Sequence, residues 1–235
     1  RGQQLLLRET DAAGRGEAIG PLARLAAASP RPETRVQALC TLDGLAALDD
    51  AVLIAALGDP HPRVRERAVL LAEGRGSADV IAAATALAND PDAKVCLQVA
   101  VSCGGWKAAQ AGDALVTIAA RFAADPLFRT AVMSSAVEHG ERFAVGILAA
   151  DPAVAAAYRE PLLRQSLGRR DLDTVAAILT RAAAAPAAER VAAIDVVLAD
   201  LQRLGADPWS LGATASLSAA NDAIDRELDR AAAVA

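Results

Sequence analysis

Asp59-Pro60-His61-Pro62-Arg63-Val64-Arg65 is the stretch whose reading decides the fold, because it recurs. Ser29-Pro30-Arg31-Pro32-Glu33-Thr34-Arg35 and Asp90-Pro91-Asp92-Ala93-Lys94-Val95-Cys96 are two more copies, and a looser fourth starts at Asp125-Pro126. Each copy opens a run with apolar residues at helical spacing. The interval is roughly 30 to 35 residues, the length of a two-helix repeat. Such a chain stacks helix pairs on their neighbours instead of closing around one core. The pattern predicts an all-α fold, a right-handed α-solenoid of about six to seven helix pairs. Residues 1–204 are read as the array and 205–235 as a C-terminal turn and capping helix.

Composition agrees with helices. Apolar residues make up 54% of the chain but aromatics only 3%, so alanine supplies much of the core and large aromatic clusters are excluded. Small side chains let helices approach closely, and alanine is the best helix former. The β-branched and aromatic runs that mark strands are absent. A net charge of −5 disfavours nucleic acid, which needs a basic footprint. Three cysteines are too few and too oddly numbered for a disulfide framework. No apolar run reaches membrane-spanning length without a charge or a proline. The first residues, Gln3-Gln4-Leu5-Leu6-Leu7, look like the end of a helix whose partner is elsewhere, as in an excised segment.

Each repeat is expected to hold an outer helix, a turn and an inner helix. The spacing predicts outer and inner helices over 17–28 and 32–48, 51–57 and 62–73, 78–88 and 93–103, 108–123 and 127–138, 141–150 and 153–167, and 172–184 and 187–204. Ile19, Leu22 and Leu25 form the first outer stripe. Inner stripes are Val36, Leu39, Cys40 and Leu42, then Val64, Ala68, Leu71 and Ala72, then Val95, Val99, Ser102 and Cys103. Asp49-Asp50 and Asp171 are predicted N-caps. Gly104-Gly105 and Gly140 are predicted helix ends. A final amphipathic helix over 217–233 places Leu217, Ile224, Leu228 and Ala231 on one face.

Asp59 and Arg65, six apart with proline after the aspartate, resemble the HEAT repeat in its short, PBS-lyase HEAT-like form. The resemblance implies a polar ladder in which the aspartate of the turn and the arginine of the inner helix bond between neighbouring copies. Arg35, Asp59, Arg65 and Asp90 are the ladder residues; Ser29 stands in for an aspartate and Cys96 for an arginine. A closer resemblance covers about residues 1–185. It rests on the string from Asp90 through Gly105-Trp106, on Ala114-Leu115 to Ala119 with Asp125-Pro126-Leu127-Phe128-Arg129-Thr130, and on Thr41-Leu42-Asp43-Gly44-Leu45. These look like the HEAT segment of PVC-type haem-binding, membrane-bound dehydrogenase-like proteins. That family joins a sugar-dehydrogenase-like β-propeller, a HEAT array and a cytochrome c domain. The resemblance implies a secreted or periplasmic redox protein of which this is the middle. No Cys-x-x-Cys-His occurs here, so covalent haem of that type would lie outside these residues.

Candidate sites are few. Cys96 and Cys103 are two helical turns apart, but a metal would want more ligands close by; Cys40 and Cys103 fall on or beside buried stripes, where cysteine acts as a small apolar residue. His61 precedes an inner helix, and Glu138-His139 is a lone pair without the repetition that HEAT-fold di-iron hydroxylases show. Arg63, Arg65 and Arg67 form one basic cluster and Arg164, Arg169 and Arg170 another, each beside acidic residues that make salt-bridged faces the plain reading. Trp106, Trp209 and Arg129 are the candidates for docking a partner, since tryptophan and arginine are enriched at interface hot spots. No residue is assigned to catalysis, a cofactor or a metal. The expected function is a non-catalytic spacer and docking surface, its partner a protein or a neighbouring domain. The alternatives are an enzyme on a HEAT scaffold, DNA glycosylase-like or bilin lyase-like, and a self-associating array.

Overall fold

Pro32, Pro62, Pro126 and Pro152 each open a helix, where proline's missing N–H removes nothing and its φ is already helical. The computed structural model describes residues 12–183 and the helical positions Val191, Asp195, Val196, Ala199 and Arg203. The described residues form eleven α-helices with no strand. They are α1 (Ala12–Ala28), α2 (Pro32–Gly44), α3 (Asp50–Leu57), α4 (Pro62–Ala72), α5 (Ala78–Ala86), α6 (Ala93–Ser102), α7 (Ala109–Arg121), α8 (Pro126–Ala136), α9 (Gly140–Leu148), α10 (Pro152–Arg169) and α11 (Leu172–Ala183). Short 3-10 turns, Leu87–Asn89 and Cys103–Gly105, extend α5 and α6. The predicted helices at 1–9 and 217–233, and most of 187–204, lie outside the described residues.

The chain divides into two compact units, residues 1–118 and 119–235. In the first, packing runs between neighbours in two rows. The outer helices follow one another, α1 on α3 and α3 on α5, and the inner ones do the same, α2 on α4 and α4 on α6. The first two pairs also pack internally, α1 on α2 and α3 on α4, and in the third α6 packs on the Leu87–Asn89 turn that extends α5, while α5 itself rests on α4. This packing is consistent with a helical solenoid. Leu39, Leu53, Val64, Val80, Val95 and Val99 are wholly buried between the rows. At about 1.5–3 kcal/mol per large aliphatic side chain, that core outweighs any single polar contact. In the second unit α9, α10 and α11 pack on one another around Phe143, Ile147, Tyr158, Leu163 and Ile178.

Several predicted details differ. On α1 the expected stripe fails, because Ile19 and Leu25 are 36% and 44% exposed and the small Ala26 faces inward instead. On α4 Leu71 is half-buried and Val69 takes its place. Residues 32–48 are not one helix. α2 stops at Gly44, and Ala46 turns left-handed at φ 54°, with Ala46 N–H donating to Asp43 O and Ala47 N–H to Leu42 O. Arg170 repeats this ending after α10 at φ 57°. Glycine is the usual residue there, so neither end carried its sequence mark. Gly140 begins α9 instead of ending α8. A Cβ at Gly140 would sit 2.5 Å from Asp171 Oδ2 and Thr174 Oγ1. Those atoms are the N-terminal cap of α11, where Thr174 N–H and Oγ1–H donate to the Asp171 carboxylate; only a glycine admits them.

Tyr158 is fully buried, its ring edge-on to Phe143 at 5.9 Å, and its hydroxyl has no hydrogen-bond partner among the described residues. Burial pushes its phenol up to about 12, against a pull downward from Arg129. The ordinary value is 10.0, so ionisation favours the unfolded chain. The contribution to stability is whole below pH 10 and is lost as pH rises through about 12. Tyr158→Phe removes an unsatisfied buried hydroxyl. Urea denaturation at pH 7 should find the variant as stable as the parent or more so, and the parent alone should weaken further between pH 10 and 12; a variant less stable at pH 7 would show that the hydroxyl is bonded.

Candidate functional site

The turn of each repeat places one carboxylate or hydroxyl where it accepts a backbone N–H two residues on. Asp59 Oδ1 takes His61 N–H at 2.8 Å, Asp90 Oδ1 takes Asp92 N–H at 2.8 Å, and Ser29 Oγ takes Arg31 N–H at 3.3 Å. Six residues later comes the arginine, one turn into the inner helix. Arg35 forks onto the Asp59 carboxylate through Nε and Nη2 at 2.7 and 2.8 Å, and Arg65 onto Asp90 at 2.6 and 2.7 Å. The remaining Nη1 of each donates back to its own turn, Arg35 to Ser29 O and Arg65 to Asp59 O, at 2.7 and 2.8 Å. The hydrogen bond to the aspartate raises each guanidinium above even its usual high value, against desolvation. Each rung therefore runs from the arginine of one pair forward to the aspartate of the next. Asp90 has its arginine in Arg65.

Cys96 stands at the third arginine position and keeps half of the pattern. Its thiol lies 3.2 Å from Asp90 O, again six residues back, and also faces the carbonyls of Ala88 and Leu87. The fourth copy is out of phase. Asp125 is itself the N-cap of α8, accepting Leu127 N–H at 2.8 Å, whereas α4 and α6 begin three residues after their aspartates.

The opposite end of the first unit is held by Arg75, which the sequence did not single out, and by Trp106. Arg75 Nη1 donates to Leu48 O at 2.7 Å and lies 3.4 Å from Asp50, with Nη2 3.4 Å from Asp43. Trp106 is 2% exposed, and its indole N–H donates to Ala72 O at 3.2 Å. It is a second donor to that carbonyl, which also accepts Arg75 N–H at 3.1 Å, so it faces its own unit and is not presented for docking. Arg129 is half-buried near Tyr158. Trp209 lies outside the described residues.

The other candidates separate. His139 is buried while Glu138 is exposed, so the pair does not converge. His61 is the N-cap of α4, its Nδ1 accepting Arg63 N–H. Among the described residues no three histidine, cysteine, aspartate or glutamate side chains gather as a metal-binding group, and no helix is long and apolar enough to cross a membrane. Arg164 bonds Glu160 one turn back on the surface of α10. Arg63 and Arg67 project from α4 into solvent. Comparison with protein-family models, curated proteins and solved structures finds no match to this chain.

None of the three cysteines is in a disulfide; Cys96 and Cys103 are buried, and Cys40 is half-buried. Burial pushes the Cys103 thiol up to about 12 and raises Cys40, where Arg67 opposes the rise. Titration of the native chain with an aromatic disulfide at pH 8 should therefore label Cys40 alone, the other two reacting only in denaturant. A second native thiol reacting as fast would contradict this packing. The ladder has its own test. Asp90→Ala strands the Arg65 guanidinium, whose side chain is 12% exposed, and should cost about 3 kcal/mol. In a double-mutant cycle with Arg65→Met the two losses should fall well short of adding; full additivity would mean the rung is not a coupled pair.

Proposed function

We propose that this chain is a non-catalytic interaction scaffold and spacer built from HEAT-like helix pairs. The observation that carries the reading is the repeated rung, Arg35 to Asp59 and Arg65 to Asp90, joining successive turns in a unit where outer helices pack on outer and inner on inner. A fold stabilised pair by pair supplies an extended surface and a set separation between whatever flanks it. The reading extends to a middle segment of a multidomain redox protein, with a propeller and a cytochrome c domain outside these residues and a secreted or periplasmic location. The short strings around Asp90–Trp106 and Asp125–Thr130 support the extension.

Two measurements test it. The purified chain should show no visible absorption band after gel filtration; a band that co-elutes with it would overturn the non-catalytic reading. The coding sequence on either side should contain propeller and Cys-x-x-Cys-His elements, and a different catalytic domain there would remove the redox context.

A further inference from the structure

α4 has two faces. Val64, Ala68, Val69 and Ala72 are buried, and Arg65 is occupied in the ladder. On the other side Arg63, Glu66, Arg67 and Leu70 fall within an arc of about 100°, at 3.6 residues per turn. With Val36 of α2 and Gln98 of α6 they line an open cleft of about 90 Å³. The cleft lies inside the first unit and crosses three successive inner helices.

The arginines of this unit are not equivalent. Arg35, Arg65 and Arg75 each have a carboxylate within 3.4 Å. Arg63 and Arg67 are exposed, and their side chains make no hydrogen bond or ion pair with a described residue. Glu66 lies in the same cleft, so two guanidiniums stand against one carboxylate there. Gln98 is held from behind, its amide nitrogen donating to Glu73 Oε1 at 3.3 Å and to Ser102 Oγ at 3.1 Å. Ser102 in turn donates to Glu73 Oε1 at 2.7 Å. Both amide hydrogens of Gln98 are thereby used, and the polar atom it offers a ligand is its carbonyl oxygen. Val36 and Leu70, both half-buried, supply apolar contact.

Two cations, one oriented acceptor and an apolar floor suit an extended peptide. A carboxylate side chain pairs with the guanidinium forks. A backbone N–H donates to Gln98, and a neighbouring apolar side chain rests on Val36 and Leu70. We propose that this cleft docks an acidic, apolar-flanked peptide segment of a protein partner. The proposal rests on the scaffold reading and deepens it. One net positive charge is too little to follow a nucleic-acid backbone, whose binding grows with the number of phosphates neutralised.

The test uses the full chain, labelled with nitrogen-15, and a blocked hexapeptide of alternating glutamate and leucine. Its lysine-for-glutamate counterpart is the control. Saturable amide shifts are expected at Val36, Arg63, Glu66, Arg67, Leu70 and Gln98 with the acidic peptide only. The double variant Arg63→Gln/Arg67→Gln should weaken binding about tenfold or more. Both side chains are exposed, so its helical spectrum should match the parent. Arg67→Lys keeps charge without the fork and should fall between. Equal binding by the double variant, shifts clustered elsewhere, or displacement of the peptide by a short single-stranded oligonucleotide would each overturn the proposal. If no peptide binds to a chain that remains colourless, the cleft proposal fails and the scaffold reading stands. A co-eluting chromophore would sink that reading instead.

Discussion

The forked arginine–aspartate rung between neighbouring turns is the constraint on which the first unit depends. Turns between stacked helices bring backbone N–H and C=O groups out of water, where an unpaired one is costly. One rung settles several of these at once. The aspartate accepts the fork of the preceding pair's arginine and a backbone N–H of its own turn, while the arginine's remaining nitrogen takes a carbonyl of the turn behind it. A partly buried ion pair is weak evidence of net stability in itself. Its value here is positional: all three nitrogens of each guanidinium are engaged, which ties neighbouring helix pairs to one register.

Where the rung changes, the array changes. Cys96 retains the backward contact to Asp90 O and carries no fork to send forward. Asp125 then caps α8 directly, without the two intervening residues of the earlier turns. The first compact unit ends at Ile118, a few residues before that turn. The second unit relies on other devices: the Asp171–Thr174 cap pressed against Gly140, and the aromatic contact of Phe143 with Tyr158.

Within the first unit, charge is divided between structure and surface. Arg35, Arg65 and Arg75 hold turns and loops together, and Trp106 closes the end of α4. Arg63 and Arg67, two residues either side of Arg65 in sequence, leave the helix on its open side. A helix of 3.6 residues per turn separates neighbours in sequence by about 100°, which lets one short basic run serve both the ladder and the cleft.

The sequence by itself determined the all-helical class and most of the helix starts, because proline, aspartate and the apolar spacing act locally along the chain. Val64, Ala68, Val95 and Val99 were legible as core for that reason. The left-handed ends at Ala46 and Arg170 were not, since neither carries the glycine that marks such an ending. Only the tertiary structure decided that the Arg65 fork falls on the Asp90 carboxylate while its remaining nitrogen takes the backbone carbonyl of Asp59, that Trp106 is enclosed, and that Gln98 meets Glu73. The long-range contacts among these join residues some 25 to 34 positions apart, and which groups meet at that range is set by how helix pairs stack, not by any signal within one repeat.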